Sequence, residues 1–454
     1  MRFGRIPGLT RFDSVAWKRK MQEQPFPDTS SRESTDTGGG LDYSAFGARL
    51  EVPAINRLMS IPSEQPEVLS LAAGFTDNAV LPHELVSDVV ARLCREVSPT
   101  DALQYGTTQG RKGLRDLTAR FVASYEGEKP EAILADRTFI TNGSQQALFL
   151  AMRVLCDPGD VVLVENPTYF VFLSMLQGMG VQPVGIPVAE NGSIDGVALD
   201  ALMRQMDREG RKGRIKAVYV MGYYANPSSR CMSLEDKILL ARTLRTHGMR
   251  IPVIEDAAYR ELAFGRPWSV PGVLSLDAFE GFPLLYLGTY TKPFATGLKV
   301  GYGITNHTEW MQKMLFAKGN QDFGSAHFPQ AIVEQVLRDG VYPGFVRDLG
   351  LHYGAKAGLL DSVLRAEGLD RMGWSWTRPE GGLLFWLKAP AGVDTREGSG
   401  FYQACLQHQV IYVPGNLCFA NGSPSEHIRL SIGALPNEKL EEAARRLCDA
   451  ARNL

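Results

Sequence analysis

The chain has 454 residues, of which 44% are hydrophobic, and it carries a formal net charge of −2. This length predicts two domains, and the ordinary apolar fraction predicts a globular protein. The near-neutral charge gives no electrostatic reason to expect a nucleic-acid partner or an anionic membrane surface. Since no run of about 18 apolar residues occurs, no transmembrane helix is expected.

The cysteines and the N-terminal sequence indicate the compartment. The six cysteines are far apart and form neither a C-x-x-C pair nor a Cys/His cluster with the spacing of a metal site. They therefore predict reduced thiols and no bound metal. The first residues, MRFGRIPGLTRF, lack the apolar core of a signal peptide. Together these features predict a cytoplasmic protein.

Composition separates an N-terminal extension from the rest of the chain. Residues 24–41 are rich in Ser, Thr, Gly and Pro and offer little apolar surface to a core. We therefore expect residues 1–45 to form a flexible extension. Residues 46–75 are expected to pack with a small C-terminal domain, which a change of pattern places at residues 331–454.

Residues 76–330 alternate between helix and strand patterns and are expected to form the large domain. Strands separated by helices predict an α/β fold, with a mostly parallel sheet sandwiched by helices and ligands at the carboxyl ends of the strands. The C-terminal part instead predicts a smaller α+β domain. The predicted strands are 161–164, 215–224, 251–254, 284–287, 300–304, 382–387, 410–413 and 427–432, and the predicted helices are 144–155, 234–247, a long stretch from 331 to 367, 399–408 and one from 437.

Two of the predicted strands of the large domain lead into ionisable residues. Asp256 ends one strand and Tyr259 follows three residues later. The carboxylate either caps the next helix or faces a ligand in the crevice. Lys292 follows another apolar strand and a short turn. A lone lysine in this place is usually a surface residue, but at the inner end of a buried strand it is costly unless it is paired or covalently occupied.

Two further segments offer ligand groups. Gly143, Ser144 and Gln145 open a helix, and the free backbone amides at a helix N-terminus bind anions. An ordinary serine N-cap explains the same pattern. Asn226 precedes Pro227 after a strand, and such a step either forms only a turn or lets the side-chain amide donate to a ligand.

These groups match the needs of pyridoxal phosphate (PLP), namely a lysine, a carboxylate for the ring nitrogen, donors for the phenolic oxygen and an amide-rich cup for the phosphate. In this order the motifs resemble the fold-type-I PLP enzymes of the class I/II aminotransferase family, from about Val68 to the C-terminus. The motifs that carry the resemblance are Tyr105-x4-Gly110, Gly143-Ser144-Gln145-Gln146, Glu165 to Tyr169 (ENPTY), Asn226-Pro227, Asp256 with Tyr259, Lys292 with Gly297 and Gly301, Pro379 with Gly381 and Gly382, Val413-Pro414-Gly415, and Arg429.

The resemblance implies a role for each matched residue. Lys292, Asp256 and Tyr259 would be catalytic, with Lys292 forming the Schiff base with PLP. It also implies a homodimer with shared active sites, in which Tyr105 reaches the phosphate in the neighbouring subunit. The implied cofactor-binding residues are Tyr105, Gly143, Ser144, Gln145, Tyr169, Asn226, Asp256, Tyr259, Thr289, Thr291, Lys292 and Lys299, and the implied substrate-binding residues are Gly74, Tyr223, Asn226 and Arg429.

Three features depart from the family pattern. Lys299 replaces the usual phosphate-binding arginine and keeps the charge without the bidentate fork. Thr289 and Thr291 replace serines beside the lysine. The segment 225–229 reads Ala-Asn-Pro-Ser-Ser, without the usual glycine, and two tyrosines precede it. Because this loop lies beside the reacting centre in the family, its change leaves the reaction open.

The leading hypothesis is an aminotransferase for an α-amino acid and a 2-oxo acid acceptor, in which Lys292 moves the α-proton. The alternative is a PLP enzyme of specialised biosynthesis that catalyses β- or γ-elimination, replacement or carbon–carbon bond formation. A PLP-binding transcriptional regulator is disfavoured because the N-terminal extension lacks helix-turn-helix periodicity. The substrate side chain stays open, since Tyr223, Tyr224, Phe75 and Phe323 indicate either aromatic surfaces near the site or core residues.

Overall fold

The computed structural model describes residues 42–127, 129 and 133–453. Residues Ala45–Leu454 form one compact unit. Most of the extension expected at residues 1–45 therefore lies outside the described residues. Within the described part of the chain, no helix is long and apolar enough to cross a membrane.

The strands of this unit differ in length and burial. The longer ones in the centre, such as the VVLV and LLYLGT segments, are buried along their whole length. Such continuous apolar runs are typical of strands covered on both faces. In chain order the strands are β1 (Leu69–Ser70), β2 (Thr138–Asn142), β3 (Val161–Val164), β4 (Gln182–Gly185), β5 (Ile215–Val220), β6 (Val253–Asp256), β7 (Leu284–Thr289), β8 (Val300–Thr305), β9 (Ser375–Trp376), β10 (Leu384–Lys388), β11 (Val410–Ile411), β12 (Val413–Pro414) and β13 (His427–Ser431).

In the described ranges the central sheet has seven strands in the order β2-β8-β7-β6-β5-β3-β4. Strand β8 runs antiparallel to both of its neighbours, and the other pairs are parallel. This agrees with the predicted mostly parallel sheet. Because the parallel strands end at one edge, the residues that follow β3, β5, β6 and β7 come together there.

A second sheet in the described residues has the order β12-β13-β10-β9 and is antiparallel. Strand β1 pairs in parallel with β11, with Leu69 opposite Val410. Residues 69–70 thus lie beside residues 410–411, while the packing of residues 46–75 as a whole with a small domain stays a prediction. The domain boundaries themselves stay a prediction.

Helices cover the sheets, and two of the regions that differ from the sequence prediction have a local explanation. The long helix expected from residue 331 is interrupted at Gly340, which has a φ of +70° that a helix does not allow. The helix Thr308–Asp322 was not predicted, because its apolar residues do not gather on one face. The helices are Ala54–Glu64, His83–Glu96, Pro99–Ala102, Lys112–Ala123, Gly143–Leu155, Phe170–Met179, Gly196–Arg208, Leu234–Thr246, Thr308–Asp322, His327–Arg338, Tyr342–Ala366, Gly400–Gln407 and Asn437–Arg452.

Strand β5 ends at Val220, four residues earlier than predicted. The chain leaves the sheet at Met221, whose backbone amide donates to the Glu165 carboxylate at 2.7 Å. The residues up to Asn226 are nevertheless buried, which explains why their apolar character resembles a continued strand. This departure turns Asn226 toward the edge of the sheet where the other strand ends meet.

Candidate active site

A cleft of about 420 Å³ lies at the carboxyl ends of the central strands. It brings together residues from the N-terminal segment, from the strand ends and from β13. The predicted site residues that line it are Gly74, Gly143, Ser144, Gln145, Tyr169, Asn226, Asp256, Tyr259, Thr289, Thr291, Lys292, Lys299 and Arg429.

Lys292 lies beyond β7, and its amine points into this cleft. The Nζ atom donates a hydrogen bond of 2.5 Å to the Gly74 carbonyl oxygen. Burial, together with the positive charges of Arg429 and Lys299, lowers the pKa of Lys292 to about 8. The amine is therefore far easier to deprotonate than an ordinary lysine, as a nucleophile or a general base requires.

Asp256 ends β6 and places its carboxylate in the same cleft. It accepts hydrogen bonds from the Tyr219 hydroxyl at 2.9 Å and from the Ala258 amide at 3.1 Å. Burial raises the pKa of Asp256 to about 6, although both hydrogen bonds favour the charged form. Tyr259 lies beside it, and burial raises the pKa of its phenol to about 12, so that the hydroxyl keeps its proton. The carboxylate suits a cationic ring N–H.

The opposite end of the cleft offers groups for an anion. The helix Gly143–Leu155 begins at Gly143, so Ser144 lies in its first turn and is not the N-cap. A side chain at Gly301 would approach the Gly143 carbonyl carbon to 2.4 Å, because β8 passes directly against this helix start. Lys299 lines the same cleft. Backbone amides at a helix start together with an ammonium group form an anion-binding cup.

The two threonines beside Lys292 differ in their contacts. The Thr289 hydroxyl donates to the Val300 carbonyl at 3.2 Å and accepts from the Thr291 amide at 3.1 Å. The Thr291 hydroxyl oxygen is buried without a hydrogen-bond partner among the described residues. Because a buried hydroxyl is seldom left unpaired, Thr291 is suited to hold a polar ligand atom.

Arg429 in β13 carries the other buried cation of the cleft. It donates to Asn226 Oδ1 at 3.1 Å and to the Ala72 carbonyl at 2.7 Å. Its guanidinium lies over the Phe170 ring at 5.3 Å, and its Nε atom is buried without a partner among the described residues. Since these acceptors are neutral, the buried charge of Arg429 is suited to an anionic ligand such as a carboxylate.

Two predicted site residues lie elsewhere. Tyr223 is buried outside the cleft lining, where its hydroxyl donates to the Val270 carbonyl at 3.0 Å and its ring lies under the Arg260 guanidinium. Tyr105 does not line the cleft of this chain either. Its side chain is 81% exposed and packs edge-on against Phe323, with the ring centroids 5.6 Å apart. A role for Tyr105 toward a neighbouring subunit stays a prediction.

Sequence reasoning did not place several apolar residues that line the cleft. Phe75 had been expected near the site, and it lies there. Ile55 and Met59, four residues apart on the helix Ala54–Glu64, could have been suspected only from their shared helix face. The additional apolar lining residues are Ile55, Met59, Phe170, Val171, Met221 and Ala258.

Comparison with known proteins identifies the fold. Residues 66–447 match the family model for aminotransferases of class I and II. The chain belongs to this family. A 2-aminoadipate transaminase of Thermus thermophilus is 32% identical over 90% of this chain and 97% of its own length. The aromatic-amino-acid aminotransferase 1 of Thermococcus litoralis is 29% identical over 91% of this chain and 95% of its own length.

A solved structure agrees with this assignment. The α-aminoadipate aminotransferase of Thermus thermophilus, complexed with N-(5'-phosphopyridoxyl)-L-leucine, superimposes with a TM-score of 0.77 at 29% identity, over 90% of this chain and 97% of that one. The predicted family, the fold-type-I architecture and the enzyme class are therefore confirmed. The chain is a PLP-dependent aminotransferase.

The cleft itself fits PLP. The unpaired Thr291 hydroxyl and the helix start at Gly143 suit the phosphate, while the Asp256 carboxylate suits a protonated ring nitrogen. Lys292 provides an amine of lowered pKa in the same cleft. Members of this family bind PLP, and the predicted cofactor is thus confirmed.

Proposed function

We propose that this aminotransferase uses Lys292 to bind the cofactor and to move the substrate proton, Asp256 to hold the cofactor ring, and Arg429 to bind the substrate carboxylate. One observation supports these roles above all. The cleft brings an amine with a lowered pKa, a buried carboxylate and a buried guanidinium without a counter-charge to one edge of the sheet.

PLP, when bound, supplies an electron sink for the electrons of the substrate Cα–H bond. The Lys292 Nζ takes up the proton of the substrate Cα–H bond and later returns it to the substrate. An amine with a pKa of about 8 is suited to this, because it exchanges protons near neutral pH. The hydrogen bond to the Gly74 carbonyl holds this amine in place. Asp256 would accept from the ring N–H of the cofactor, and Tyr219 and Ala258 orient its carboxylate.

At the other end, Gly143, Ser144 and Gln145 would hold the cofactor phosphate through helix-start amides, and Thr291 and Lys299 would complete the cup. Tyr169 lines the cleft, and its ring would stack against the cofactor ring.

Tyr259 and Asn226 act beside the phenolic oxygen and the substrate. The Tyr259 phenol stays protonated and would donate to the phenolic oxygen of the cofactor. Asn226 accepts from Arg429, which fixes the plane of the guanidinium for the α-carboxylate of the substrate. Gly74 leaves open space at the substrate side, because a side chain there would meet no atom within 4 Å.

The reaction is tested by mixing the purified holoenzyme with a panel of amino acids and 2-oxo acids while the cofactor spectrum and the products are followed. Transamination needs both substrates and yields a keto acid, and the transaminase names of the relatives support it over elimination. Turnover is expected to fall by more than about 10³-fold in Lys292→Ala. The matched control Lys313→Ala changes an exposed lysine outside the cleft and should leave turnover unchanged. Steady product formation without any 2-oxo acid would refute the proposal.

We further propose that the enzyme is a homodimer in which Tyr105 completes the site of the partner. An exposed apolar surface supports this, because Leu103, Tyr105, Phe316 and Phe323 are each more than 60% exposed. Light scattering after size exclusion measures the mass. Mixing Lys292→Ala chains with Tyr105→Ala chains is expected to restore activity, since a mixed dimer holds one intact site. An active monomer would refute the dimer.

A cytoplasmic location is also proposed. The six cysteines are unpaired, which suits a reducing compartment. Fractionation of cells that make the native protein, with antibody detection, tests the proposal, and recovery in an oxidising extracytoplasmic fraction would refute it.

A further inference from the structure

The cleft has two chemically different halves. The polar half contains the residues assigned above to the cofactor and to the α-carboxylate. The other half is apolar and comes from three separate parts of the chain, namely the helix Ala54–Glu64, the segment at Phe75 and the start of the helix Phe170–Met179. We expect a side chain attached to a substrate α-carbon near Lys292 and Arg429 to lie against this apolar half, since Phe170 already lies beside the Arg429 guanidinium.

The helix Ala54–Glu64 presents one apolar face to the cleft. Ile55 and Met59 are four residues apart and therefore lie above one another on that face. Leu58 on the neighbouring face is buried in a hydrophobic cluster that anchors the helix. Arg57 belongs to another face, where it is half-exposed, donates to the Val52 carbonyl and pairs with Glu397 at 3.3 Å. The cation on this helix is thus directed away from the cleft.

The charged residues that the described part of this chain contributes to the cleft leave no partner for a second carboxylate. Among the described residues that line it, the cations are Lys292, Lys299 and Arg429, and the carboxylate is Asp256. In the proposed roles, Lys292, Lys299 and Asp256 would hold the cofactor, and Arg429 would hold the α-carboxylate of the substrate. An acidic side chain would therefore lose its hydration against Ile55 and Met59 without gaining a counter-charge.

We propose that the amino donor is an α-amino acid with an uncharged, apolar side chain, such as leucine, methionine or phenylalanine, and that Ile55, Met59 and Phe75 determine this specificity. The proposal rests on the aminotransferase function and names its substrate class. Apolar surface of the side chain is removed from water against these residues, whereas the Arg429 contact is common to all α-amino acids.

The test uses the first half-reaction alone, so that the side chain of the acceptor has no influence. The PLP holoenzyme is mixed rapidly with leucine, methionine, phenylalanine, alanine, glutamate, aspartate or 2-aminoadipate, and the second-order rate constant for the change in cofactor absorbance is measured. The constants for leucine, methionine and phenylalanine are expected to exceed that for alanine by about 100-fold. Those for the acidic amino acids are expected to lie below alanine.

A variant that adds a cation tests the assignment of the wall. Met59→Arg is expected to raise the rate constant for 2-aminoadipate relative to leucine by at least about tenfold, because it places a positive charge in the apolar half. Arg57→Ala removes the cation on the other face of the same helix and should leave the order of substrates unchanged.

The outcomes separate the two levels of the proposal. Faster reaction of the wild type with glutamate or 2-aminoadipate than with leucine and phenylalanine overturns the substrate class while leaving the aminotransferase function intact. Absence of any spectral change with every amino acid overturns the function and the substrate class together. An unchanged order in Met59→Arg, with cofactor binding retained, refutes the role of the helix face.

Discussion

Arg260 is the buried residue whose removal we expect to destabilise this enzyme most clearly. It is 2% exposed and forms an ion pair with Glu126, which is also buried. Its guanidinium further donates to the Tyr125 carbonyl at 3.2 Å and to the Tyr286 hydroxyl at 3.3 Å, and it lies over the Tyr223 ring at 4.2 Å. Arg260 thus holds together side chains from several segments behind the cleft.

The position of this pair links it to the site. Glu255 and Asp256 are neighbours in β6, and their side chains point to opposite sides, as alternation along a strand requires. Asp256 lines the cleft, while Glu255 accepts from the buried Lys237 amine at 2.7 Å. In the same way, Tyr259 lines the cleft, whereas the next residue, Arg260, points away from it and pairs with Glu126. The ion pairs of Glu255 and Arg260 on the side away from the cleft therefore support the backbone that carries Asp256 and Tyr259.

Arg260→Met leaves the Glu126 carboxylate buried, with the Gly272 amide at 2.8 Å as a remaining donor. Breaking one side of a buried ion pair costs about 3–5 kcal/mol. The double variant Glu126→Gln with Arg260→Met removes the uncompensated charge and is expected to recover about half of that loss. Because the two residues share one interaction, their effects on stability are expected to be non-additive.

The measurement is urea-induced unfolding of the holoenzyme at fixed protein and PLP concentrations, followed by circular dichroism. Arg347→Met is the matched control, since Arg347 is exposed and its change should alter the free energy of unfolding by less than about 0.5 kcal/mol. A loss below about 1 kcal/mol in Arg260→Met would refute the reasoning. A double variant less stable than the single one would refute it as well.

Three further predictions concern the cofactor. The rate of PLP uptake by the apoenzyme should rise with pH through about 8, because burial and nearby positive charges lower the pKa of Lys292 and only its neutral amine is nucleophilic; Arg429→Met should move this midpoint upward, and a wild-type midpoint near 10.5 contradicts the prediction. Lys299→Arg should tighten PLP binding about fivefold and leave the binding of phosphate-free pyridoxal unchanged, since arginine binds phosphate with two parallel hydrogen bonds. Equal tightening of both ligands in a fluorescence titration would argue against a phosphate contact. Asp322→Asn should weaken PLP binding about tenfold. The Asp322 carboxylate accepts from Gln146 at 2.7 Å, in the first turn of the helix Gly143–Leu155, and pairs with the buried Lys318. An unchanged rate of PLP dissociation, followed by absorbance after dilution, would reject this positioning role.

Much of the fold and of the site was predictable from the chain alone. The Val-rich runs predict strands, because parallel strands buried on both faces must be apolar. The residues that end these runs predict the site, because the carboxyl ends of parallel strands meet at one edge of the sheet. Asp256 and Lys292 follow such runs, and Gly143 opens a helix, so their convergence is a consequence of the topology. The motif order added the family, which comparison with known proteins confirmed.

Other features depend on which side of the backbone a residue faces after the chain leaves the sheet. Tyr223 and Asn226 belong to the same short segment, yet the tyrosine packs behind the sheet under Arg260 while the asparagine reaches Arg429 in the cleft. No sequence period describes such a loop, since its conformation follows from long-range contacts such as that between Met221 and Glu165.

Apart from Phe75, the apolar half of the cleft could be recognised only in three dimensions. Ile55 and Met59 have helical spacing, which predicts a buried face but not what lies opposite it. The pairing of β1 with β11 places this N-terminal segment against the C-terminal part of the chain, and Phe75 and Arg429 come to one cleft although 354 residues separate them in the numbering. Local residue patterns thus determine the chemistry at the strand ends, whereas contacts between distant segments decide which side chain the substrate meets.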